Sequence, residues 1–162
     1  MSIWVKKPGP SELAEMAKQT IDESLGIEIV EIGDDYVVGT MPVDHRTCQP
    51  MGLLHGGASA VLAETLGSIG ASYCVDGSKY YCVGVDINAT HLRSARQGKV
   101  KGVGRPVHLG KSIHVWEIRI SDDEGNPVCI ARITLAVRRY RGSSTEQDPL
   151  SPKRLPGWRE GE

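Results

Sequence analysis

No stretch of the 162-residue chain approaches the ~20 consecutive apolar residues of a membrane span. The opening residues, MSIWVKKPGPSEL, lack the apolar core and cleavage site of a secretory leader. The four cysteines, Cys48, Cys74, Cys82 and Cys129, include no CxxC pair and follow no zinc spacing, so free thiols are expected. The five histidines form neither HExxH nor HxH, so no metal site is expected. A net charge of −1 gives the whole chain no bias toward nucleic acid. These absences predict a cytoplasmic protein without membrane or nucleic-acid partners. The apolar fraction of 40% and charged fraction of 24% are those of an ordinary globular domain.

One absence is local. From Ile87 to Trp116 there is no acidic residue, while Arg93, Arg96, Lys99, Lys101, Arg105 and Lys111 supply six cations. Charge clustered in this way points to an anionic ligand, or else to a solvated face balanced from elsewhere in the fold. Trp116 is the segment's one aromatic, too few for a row of nucleic-acid stacking platforms. Within the segment, GRPVHLGKS (104–112) comes close to a P-loop. It has five residues where a Walker A has four between Gly and Gly-Lys, and the SIHVWEIRIS that follows reads as a strand. Its Gly-Lys-Ser turn still offers a phosphate an N–H, an ammonium and a hydroxyl.

The apolar periodicities predict one helix over 11–25, N-capped by Ser11 and closed by Gly26, and then two strands around a Gly33-Asp34-Asp35 turn. A helix is expected at 57–73. Four strands should follow near 79–90, 99–107, 112–121 and 127–139, with Val83, Val85 and Ile87 as apolar content of the first. Gly67 and Gly70 weaken a helix interior, so a curved sheet is expected close against it. Residues 141–162 read as a flexible polar tail after a domain of 1–140. The class is α+β. One helix cannot cover both faces of six strands, so a partner subunit is expected.

The central helix raises a chemical question. MGLLHGGASAVLAETLGSIGA (51–71) sets one carboxylate, Glu64, in a run of small and apolar residues, where it either faces solvent from one side of the helix or is buried. Burial of such a group is costly unless it has partners or work. Ser68 lies one turn on, where its hydroxyl shares a face with Glu64. His55-Gly56-Gly57 opens the helix, where free N–H groups favour a developing negative charge, and Gln49 adds an amide upstream. These parts suit carbonyl chemistry. His55 and Glu64 stand nine residues apart, about 13 Å along a helix. A single chain therefore cannot aim both at one atom, and two antiparallel helices from two subunits would.

QPMGLLHGGASAVLAETLGS resembles the signature of hotdog-fold acyl-CoA thioesterases of the 4-hydroxybenzoyl-CoA and phenylacetate type. GDDYVVGTMPVDHRTCQP, VGVDINATHLRSARQGKV and PVHLGKSIHVWEI carry the likeness across residues 12–140. The resemblance implies a long helix wrapped by a curved antiparallel sheet, in dimers that pair into tetramers with shared active sites. It implies that Glu64 is the catalytic carboxylate, as nucleophile or general base. Gly56 would donate its N–H to the thioester carbonyl, Gln49 and His55 would position and polarise the substrate, and Ser68 would orient water. It places CoA contacts on Gly84, on His91, Leu92, Arg93 and Ser94, and on His108, Leu109, Gly110, Lys111, Ser112 and Ile113. No cofactor is implied, since CoA belongs to the substrate. The acyl group is left open between a hydroxylated aromatic such as 1,4-dihydroxy-2-naphthoate and a short or medium aliphatic chain. Two rival readings are a non-catalytic acyl-CoA-binding module and a hotdog enoyl-CoA hydratase.

Overall fold

The computed structural model describes residues 2–140, and the expected tail at 141–162 lies outside the described residues. Two short helices, α1 (Pro10–Ala17) and α2 (Ile21–Leu25), precede β1 (Glu28–Ile32) and β2 (Val37–Pro42). Then come α3 (Gly56–Tyr73), β3 (Tyr80–His91), β4 (Lys99–Leu109), β5 (Ile113–Asp122) and β6 (Pro127–Arg139). All six strands join one antiparallel sheet in the order β1-β2-β4-β5-β6-β3.

The single helix expected over 11–25 is broken. Pro10 rather than Ser11 opens α1, with Gly9 at its N-cap. The Thr20 hydroxyl donates to the Ala17 carbonyl at 2.6 Å and accepts the Asp22 N–H at 3.2 Å, ending one helix and capping the next. Glu23 accepts the Gln19 N–H at 2.7 Å. Thr20 with Glu23 is the spacing of a capping box inside an apparently continuous pattern. Gly26 closes α2 in the left-handed conformation, as expected.

The sheet wraps α3. Leu62, Leu66 and Ala63 on the helix pack with Trp116, Ile118, Ile120, Ile133 and Leu135 from β5 and β6, all fully buried or nearly so. The close approach expected from the helix glycines is present. A methyl group on Gly67 would stand 2.3 Å from Ile133 Cγ2, and one on Gly70 2.5 Å from the Trp116 ring. Gly70→Ala is therefore expected to destabilise the fold by about 1–3 kcal/mol despite the better helix propensity of alanine. Urea unfolding followed by Trp fluorescence checks this. Trp4 stacks on Trp116 at 6.2 Å and donates its indole N–H to the Gly33 carbonyl, so the N-terminal residues close the far end of the core.

Strand β3 carries an irregularity that its apolar content, Val83, Val85 and Ile87, does not mark. Gly84 pairs with Leu135 and Asp86 with Thr134, which leaves Val85 as an inserted residue. This β-bulge changes which parity faces the helix. Cys82 bonds to the Ala71 carbonyl of α3 before the bulge, while Ile87 and Ala89 pack on the core after it. Val83 and Val85 are instead exposed, 38% and 63%.

Candidate active site

The loop before α3 is tied down at several points. Buried Thr47 donates its hydroxyl to the Pro42 carbonyl, and its own carbonyl accepts the His55 N–H at 2.8 Å. Gln49 accepts the Met51 N–H on its side-chain oxygen. That fixes the amide and leaves its NH₂ as the outward donor. His55 is the N-cap of α3, its Nδ1 accepting the Gly57 N–H at 2.8 Å. The proton of the neutral ring is then on Nε2. The Ala58 and Ser59 N–H groups both reach the His55 carbonyl. Of these first N–H groups only that of Gly56 has no acceptor among the described residues. A free N–H at the positive end of a helix is suited to a developing oxyanion.

The last residues of β3 come to the same place. The His91 ring lies against Gly56, its Nε2 2.6 Å from where a Gly56 side chain would begin. Leu92 and Arg93 donate to the Val128 carbonyl, and the Ala95 carbonyl accepts from Leu54. The result is a cavity of about 380 Å³ lined by Gln49, His55, Gly56 and His91 through Ser94. Ser59, Leu53, Leu54 and Val128 complete the wall. The sequence reading missed these four. The available signal was Ser59, a hydroxyl set in an otherwise small and apolar helical run, which the structure buries. A second cavity, about 580 Å³, lies between α1, α2, β1 and α3, and none of the expected site residues lines it.

Glu64 is elsewhere. It projects from α3 two turns beyond the Gly56 end and rests against Gly84 of β3. Ser68 hydrogen-bonds to it, as the one-turn spacing anticipates. Burial pushes its carboxyl above the ordinary 4.5, and the Ser68 hydrogen bond only partly offsets that. The carboxylate and the free N–H of one chain do not converge, in line with the distance along the helix.

A scan against family profiles matches residues 51–129 to the thioesterase superfamily. The 1,4-dihydroxy-2-naphthoyl-CoA hydrolase of Escherichia coli is 47% identical over 83% of this chain and 98% of its own. The chain belongs to the thioesterase superfamily. A proofreading thioesterase of Cronobacter turicensis shows the same identity over the same shares of the two chains. The crystal structure of a mutant thioesterase from Pseudomonas aeruginosa is 51% identical, with a TM-score of 0.84 over 85% of this chain and 99% of that one. The hotdog fold and the α+β class are those expected. The profile covers Gly56, Glu64, Ser68 and the 91–113 segment, and begins just after Gln49.

For this thioesterase-family chain, the CoA positions implied by the resemblance fall into two separate groups. His91 pairs with Cys129, which pairs with Ile120, whereas Ile113 starts β5 at the opposite end of the sheet. Seven residues of strand separate those levels, about 23 Å. His91 to Ser94 line the cavity at the helix start, while His108 to Ile113 form the β4–β5 turn at the other end. Arg93 and Lys111 of one chain therefore do not form one anion surface. The cationic segment is also partly neutralised. Lys99 pairs with Glu28 at 3.8 Å, and Arg105 pairs with Asp35 at 2.6 Å while lying over the Tyr36 ring. Arg93, Arg96, Lys101 and Lys111 have no ion pair among the described residues. In the 110–112 turn the Gly110 N–H is spent on the Ile113 carbonyl, so a phosphate there has the Lys111 ammonium and Ser112 hydroxyl rather than that N–H. Gly84, expected among the CoA contacts, packs on Glu64.

Proposed function

We propose that this chain hydrolyses acyl-CoA thioesters to free acid and CoA, at sites built by two subunits. The observation that carries the reading is the unpaired Gly56 N–H, left free at a capped helix start beside the fixed Gln49 amide. Glu64 takes a proton from water, and the water oxygen bonds to the thioester carbonyl carbon. Gly56 N–H holds the oxyanion, with Gln49 NH₂ positioning the substrate. Collapse breaks the C–S bond, and the sulfur leaves with the proton returned by Glu64. Direct attack by the carboxylate is the alternative use of the same group. Ser68 orients the carboxylate and the water.

The second subunit supplies what one chain lacks. β3 ends the sheet, so among the described residues its outer edge has no strand partner, and it carries exposed Val83 and Val85. A two-fold pairing of β3 edges reverses one α3 against the other, bringing the partner subunit's Gly56 toward Glu64. The same reversal brings one chain's 108–113 turn toward the partner's 91–94 loop, so that CoA phosphates meet both. Tetramers would be pairs of such dimers. An aromatic acyl group such as 1,4-dihydroxy-2-naphthoyl is favoured by the named activity of the Escherichia coli relative.

Thiol release from 1,4-dihydroxy-2-naphthoyl-CoA, 4-hydroxybenzoyl-CoA, phenylacetyl-CoA and hexanoyl-CoA tests the reading. Release of CoA from at least one ester, the aromatic ones fastest, is expected. Binding of the esters with no release would establish the binding module instead. Loss of an enoyl-CoA chromophore without thiol release would establish the hydratase.

A further inference from the structure

We propose that Gly84 is a positioning residue, whose missing side chain leaves the space that the Glu64 carboxylate occupies. The inference rests on the catalytic role proposed for Glu64. A methyl group on Gly84 would stand 2.6 Å from Glu64 Oε1, 3.6 Å from its Cδ and 3.8 Å from Oε2. No other group comes closer to that point than the carboxylate. The backbone of Gly84 does not itself require glycine. Among the described residues the glycines with positive φ are Gly26, Gly52, Gly98 and Gly125, and Gly84 is not one of them. An exposed strand position with ordinary backbone geometry favours almost any other residue. The glycine is therefore explained by what lies over it.

The bulge completes the arrangement. Gly84 is the last residue in regular register before Val85 is inserted. With Cys82 it keeps the early parity of β3 toward α3, and the insertion then hands that face to Ile87, Ala89 and His91. One strand thus seats Glu64 with Gly84 and closes on Gly56 with His91, two contacts at different levels of the same helix. Without the inserted residue, one of the two would point away from α3.

Gly84→Ala tests this in the full-length protein. The obstructed atoms are the far end of a flexible side chain, so the fold is expected to persist and the carboxylate to move. With the best acyl-CoA substrate, kcat is expected to fall roughly 10- to 100-fold, with KM within about twofold and no loss of melting temperature. Adding Gly84→Ala to Glu64→Gln should slow that variant no further, because the group being positioned is already disabled. A kcat within twofold of wild type overturns the inference. So does a rise in KM at constant kcat, which would make Gly84 a substrate contact. If Gly84→Ala lowers the melting temperature, Glu64→Ala/Gly84→Ala decides: recovery places the clash between these two residues, and no recovery overturns it. Wild-type protein that releases no thiol would count against the proposed function. Active wild type with equally active Gly84→Ala would count against this inference alone.

Discussion

Glu64→Gln is expected to lower kcat by about 10²–10⁴ with every acyl-CoA the wild type hydrolyses. Glutamine keeps the shape of the side chain and its hydrogen bond to Ser68 while removing the basic oxygen. KM should change little, since glutamine fills the same space as glutamate and only the proton-accepting oxygen is lost. The pH dependence carries a second signature. Glu64 must be ionised to act as base or nucleophile, and burial holds its carboxyl above 4.5. The rate should therefore fall as pH drops through a value above that of an ordinary glutamate, because the raised pKa keeps the inactive, protonated form populated to higher pH. That acidic limb should be missing from the residual activity of Glu64→Gln. Thiol release measured from pH 4 to 8 with both proteins checks it, and unchanged turnover in the variant would remove Glu64 from the mechanism.

Complementation between two inactive variants is expected to restore activity. Gln49→Ala alone should lose about 10²-fold, as one polarising donor is removed. Glu64→Gln alone should lose at least as much. Co-expressed in equal amounts, chains of the two kinds pair at random. In a two-fold dimer, each mixed pair then holds one site with both groups intact and one with neither. About one quarter of all sites recover, so the mixture should show roughly a quarter of wild-type kcat. A mixture no more active than the mean of its parents would place Gln49 and Glu64 of the same chain in one site. The geometry that motivates the experiment is the separation along α3 of the Gly56 end, with its cavity, from the Glu64 level at Gly84.

Much of this was legible in the sequence because its signals are local. The periodicity of 57–73 marks α3 within a residue at its start, and the apolar runs mark all six strands. Gly67 and Gly70 announced a close approach to the helix, and Trp116 and Ile133 make it. Ser68 hydrogen-bonds to Glu64 because four residues are one turn. The misreadings occurred where two signals competed. TIDE (20–23) caps a new helix inside an amphipathic run that could have continued, and the side-chain hydrogen bonds of Thr20 and Glu23 decided for the break. In β3 the sequence offered Val83, Val85 and Ile87 alike as apolar content, but one inserted residue left the two valines exposed and turned Ile87 inward.

What the sequence determined by itself is the set of chemical groups and their local frame: a carboxylate and hydroxyl one turn apart, a helix opened by His55 and Gly56, and cations without acids from 87 to 116. Tertiary structure alone decided which of them meet. Strand pairing sent His91–Ser94 to the helix start and Lys111 to the far end of the sheet, and drew Glu28 and Asp35 onto two of the six cations. Gly84 lies under Glu64 just before the bulge at Val85, which turns the later residues of β3, His91 among them, toward α3. The physical reason is that periodicity fixes which face of an element a side chain occupies, whereas the neighbour across that face depends on register, and a register is set by the whole sheet at once.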